Sequence, residues 1–66
     1  MELRNPTILA IDDNRDKLII LKALINDVIP DARVITALDG KHGIKLASTE
    51  DPDVILNILF KGLLYP

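Results

Sequence analysis

Thr7–Asn14 reads TILAIDDN: five largely apolar residues, then two carboxylates and an asparagine. Thr7–Ile11 follows Pro6 and is apolar at consecutive rather than alternate positions. A short run of this kind predicts a strand buried on both faces, as inside a parallel sheet. Directly after it the period changes. Between Arg15 and Ile29, Leu18, Leu21, Ile25 and Val28 recur at helical spacing, and Ile20 and Leu24 widen the stripe. Asn14 is a good N-cap and Pro30 a stop, so the spacing predicts a helix over 15–29. Its stripe reads as core rather than as a groove for a partner.

The pattern then repeats. Arg33–Ala37 (RVITA) is short and β-branched, which favours a second strand. Asp39-Gly40 ends it and offers a cap for a helix over 41–48, with Ile44, Ala47 and Leu46 facing inward. After the polar turn 49–53, Val54–Leu56 begins a third strand. Strand, helix, strand, helix, strand predicts the α/β class: an open parallel three-stranded βαβαβ sheet with helices on both faces. The chain reads as one domain, with residues 1–6 as an N-terminal extension and 57–66 as a tail.

Composition narrows the function classes. The 66 residues carry 8 basic and 10 acidic side chains, one Phe, one Tyr and no Trp, which argues against a nucleic-acid binder. There is no cysteine, so neither disulfides nor thiolate metal sites are available. The longest apolar runs are four residues, too short to span a membrane, and the N-terminus lacks an apolar signal region. A cytoplasmic location is the expectation. Ile and Leu nevertheless fill 21 of 66 positions, rich for a chain that must cover itself with polar surface.

Asp12 and Asp13 fall at the carboxyl end of the first strand, where open α/β sheets place ligand sites. Two adjacent carboxylates are hard oxygen ligands suited to a divalent ion such as Mg²⁺. They equally serve as a helix-capping, dipole-complementing pair, and the residues alone leave both readings open. His42, the one histidine, has no partner motif and reads as an exposed bystander. Lys61-Gly62 lacks the glycine-rich run of a phosphate loop. No nucleophile–base pair is visible, so no enzyme is expected.

Three segments in order carry a resemblance. Thr7–Asn14 with its Leu-rich helix, Ile35–Gly40 followed by Ile44 and Ala47, and Pro52–Leu56 together resemble the CheY-like receiver domains of two-component response regulators, over residues 7–56. The resemblance implies a flavodoxin-like sheet of order 2-1-3 for these strands and makes Asp12 and Asp13 the Mg²⁺ ligands. It also implies a sensor histidine kinase or a full-length response regulator as partners. Receivers carry a phosphoacceptor Asp at the end of the third strand. Here that position is Ile58, or Asn57 if one residue is deleted, and neither is a competent acceptor.

Past residue 56 the similarity stops, so the chain reads as the N-terminal half of a receiver, whether a truncated or frame-shifted product or an evolved loss. The third strand would then be an open edge, and self-association through Val54, Ile55, Leu56, Ile58 and Phe60 is expected. Leu59, Phe60, Leu63, Leu64 and Tyr65, without a sheet to bury them, are candidates for the same contact. The function this implies is a non-phosphorylatable signalling or dimerisation module. The alternatives are a phosphotransfer protein using Asp12 or Asp13, and a gene product without function.

Overall fold

The computed structural model describes residues 5–60. The elements are β1 (Thr7–Ile11), α1 (Arg15–Val28), β2 (Arg33–Ala37), α2 (Gly40–Glu50) and β3 (Val54–Asn57), with a 3-10 turn over Ile58–Phe60. The three strands are parallel in the order β2-β1-β3. β1 is central and buried throughout, as its unbroken apolar run predicts. The path from β1 to β2 runs one way across the sheet, and the path from β2 to β3 runs back past β1. Right-handed crossovers therefore put α1 and α2 on opposite faces.

The start of each edge strand is tied to β1. Arg33 N–H donates to Pro6 O (2.8 Å), and Asp53 N–H donates to Thr7 O (2.8 Å). The Asp53 carboxylate in turn accepts from Thr7 N–H at 2.8 Å. These bonds set the register in which Ile11 stands beside Ala37 on one side and Asn57 on the other.

The core under α2 is Leu9, Ile11 and Ala37, with Ile35, Leu46, Ala47 and Leu59 packed against it. Ile8, Ala10 and Val34 point to the other face and are also buried. Three expectations about the helices need correction. Ile44 is 74% exposed, and the inward line of α2 is Gly43, Leu46 and Ala47. Glycine faces in because a side chain there would collide with Ile11. On α1 only Leu18 is fully buried, while Leu21 and Ile25 are half-buried. Ile20, Leu24 and Val28 are exposed, since a three-stranded sheet is too narrow to cover so wide a stripe. Finally, α2 starts at Gly40 and continues to Glu50, where Asp51 ends it in the left-handed conformation (φ 48°) before Pro52. An aspartate tolerates that conformation better than a branched residue would.

Candidate functional site

The carboxyl ends of β1 and β3 bring together Asp12, Asp13 and Asn57. Asp12 is 1% exposed. Its N–H donates to Ala37 O (3.1 Å), which extends the β1–β2 ladder, and its Oδ1 accepts from Asn14 N–H (3.1 Å). Lys17 Nζ stands 3.9 Å from Oδ2. Asn14 caps α1 as expected, accepting from Lys17 N–H at 3.1 Å. Asp13 is exposed. Capping of α1 thus falls to Asn14, while Asp12 orders the turn leading into it.

Asn57 is the last residue of β3, in register with Ile11, and Ile58 has already left the strand. Of the two positions considered for the acceptor, the one that ends the strand is Asn57. Its Oδ1 accepts from Leu59 N–H (3.1 Å) and closes the 3-10 turn. Ile58 lies just beyond the strand and is half-buried. Leu59 packs on the chain's own core rather than awaiting another chain. Val54 and Ile55 are exposed and Leu56 is half-buried. The side chain of Phe60, and Leu63, Leu64 and Tyr65, lie outside the described residues.

For a divalent ion, the site provides two hard oxygen donors, Asp12 and Asp13. Among the described residues no third His, Cys, Asp or Glu joins them. Such a pair suits Mg²⁺, which keeps several of its waters and is often held by one or two carboxylates. The Lys17 ammonium beside Asp12 opposes binding by offering the carboxylate a competing cation.

His42 is exposed, as expected, and its ring meets the Asp39 side chain. Asp39, the N-cap of α2, accepts from His42 N–H (2.8 Å) while its carboxylate meets His42 Nδ1 at 2.9 Å. The bond from the His42 backbone, and then the one from its ring, hold the Asp39 carboxyl below the usual carboxylate range. A carboxyl lowered by folding favours the folded chain above its unfolded value, and the contribution fades as pH falls through the lowered one. Asp39→Asn keeps a cap acceptor without the charge. It is expected to flatten slightly the loss of stability below about pH 4, read from urea melts in acid. An unchanged acid limb would contradict the assignment.

No family model matches the chain, and no curated protein or solved structure matches it either. Among the described residues, no helix is long and apolar enough to cross a membrane.

Proposed function

We propose that this chain is a receiver-like signalling module of the two-component type, unable to accept a phosphoryl group, which acts by associating with a second copy of itself. The observation that supports it is the register of Ile11 with Asn57. That register sets a neutral amide at the end of β3, beside the Asp12–Asp13 pair at the end of β1. In the resembling domains the acceptor ends the third strand. Here that position is Asn57 at the strand end, or Ile58 by spacing from Pro52, and neither an amide nor an aliphatic side chain can serve as the nucleophile. Asp12 and Asp13 would hold Mg²⁺, which would neutralise the charge of a phosphate-bearing partner when bound. Phosphotransfer through Asp12 is disfavoured because that carboxylate is buried and already engaged by Asn14 and Lys17.

Self-association follows from the side of β3 that no other described strand pairs with. A strand with one free edge and exposed Val54 and Ile55 invites another chain to pair with it. Two copies joined there about a two-fold axis would form a six-stranded sheet, antiparallel at its centre. A sensor histidine kinase or a full-length receiver, presenting a compatible edge, belongs to the same proposal.

Intact mass after incubation with Mg²⁺ and a small phosphodonor tests the site. The natural chain should gain nothing. Asn57→Asp, whose carboxylate can still accept from Leu59 N–H, should gain one phosphoryl group and lose the gain when Asp13→Asn is added. Phosphorylation of the natural chain, or none on Asn57→Asp, would sink the proposal.

A further inference from the structure

A cleft lies away from the carboxylate pair, at the carboxyl end of β2, and takes residues from both α1 and α2. It is a solvent-open cleft of about 630 Å³, and none of Asp12, Asp13 or Asn57 lines it. Its apolar surface comes from Leu18, Leu38 and Leu46, one residue from each of α1, the β2–α2 turn and α2. Arg15 and Lys22 stand on the same side of α1, two turns apart, and His42 of α2 belongs to the same lining. Neither Arg15 nor Lys22 is ion-paired with another described residue. The one carboxylate of the lining, Asp39, is engaged by His42. In a chain of net charge −2, this cleft therefore carries two cations against one carboxylate, over an apolar floor.

We infer that the cleft binds a small organic anion with an apolar body, its acid group held by Arg15 and Lys22 and its hydrocarbon against Leu18, Leu38 and Leu46. The volume falls within the range of about 300–1,000 Å³ common to small-molecule sites, which join a mostly apolar lining to a few polar groups. Charge selects the ligand class. A carboxylate or phosphate makes charge-assisted bonds to guanidinium and ammonium, whereas a neutral analogue of the same shape keeps only the apolar contact.

The test uses the full 66-residue chain, with 4-phenylbutyrate as probe and 4-phenylbutyramide as its neutral counterpart, followed through backbone amide chemical shifts. The carboxylate should shift Lys22, Leu38 and His42 saturably, with the amide binding about tenfold more weakly or worse. Arg15→Gln with Lys22→Gln should abolish that preference while leaving the rest of the spectrum in place. Both residues are solvent-exposed, so the fold is not at risk from their loss. Ile19→Glu, at an exposed position of the lining, should weaken the carboxylate far more than the amide. Equal affinity for the two probes, shifts centred on β3, or no saturable shifts would each overturn the inference.

Discussion

Leu9→Ala should leave the chain largely unfolded near body temperature. Leu9 is 0% exposed at the centre of the middle strand, where its side chain packs with Ile11 and Ala37 under α2. Truncating a buried leucine costs about 2–5 kcal/mol, part from lost transfer energy and part from the cavity left behind. A chain of this length has a total stability on the order of 5 kcal/mol. The two quantities are comparable, so the variant should lose its cooperative thermal transition by circular dichroism. Leu24→Ala provides the contrast. Leu24 is exposed on α1, and its truncation should shift the midpoint by little. If both variants melted alike, the core would not lie where the burial puts it.

Gly43→Val is expected to have the next largest effect, through overcrowding rather than a cavity. A Cβ at position 43 would overlap Ile11 Cδ1 and come within 3.0 Å of Ile11 Cγ1. Ile11 is itself buried and has little room to turn aside. Alanine in a helix gains up to about 1 kcal/mol over glycine, which partly offsets the overlap in Gly43→Ala. Valine gains less over glycine than alanine does and adds two methyl groups, so most of the overpacking cost of about 1–3 kcal/mol should appear or be exceeded. The cause can be isolated by a double-mutant cycle. Ile11→Val removes the Cδ1 methyl and should relieve much of the penalty of Gly43→Ala, giving a clearly non-additive pair. Strict additivity would mean that Gly43 is required for some other reason.

These two positions also show what the sequence makes legible. β1 and β2 could be delimited from the chain alone, because apolar runs bounded by Pro6, by Asp12-Asp13 and by Asp39-Gly40 leave little choice of ends. Asn14 and Asp39 were recognisable as caps because their residue type matches the demand of an exposed helix start. The inward face of α2 was not legible, since hydrophobicity favours Ile44 whereas the close approach to Ile11 selects glycine. A glycine inside a helical pattern was the available signal. The exposure of Ile20, Leu24 and Val28 depends on sheet width, which no local pattern encodes.

At the site, Asp12 and Asp13 could be placed at a strand end, but not their unequal burial, which depends on the backbone path into α1. The choice between Asn57 and Ile58 required the register against β1, a pairing between residues far apart in the chain. The cleft beside β2 had no motif at all. Arg15 and Lys22 look like ordinary solvated helix residues until the fold brings Leu38, His42 and Leu46 into the same lining.

Sedimentation equilibrium of the 66-residue chain, beside Ile55→Lys, tests the central claim most directly. Ile55 is 49% exposed on the open strand, so the charge should spare the fold while opposing edge pairing. The account predicts a concentration-dependent dimer for the natural chain and a folded monomer for Ile55→Lys. A natural chain that stays monomeric at every concentration, or an Ile55→Lys variant that dimerises equally well, would contradict it.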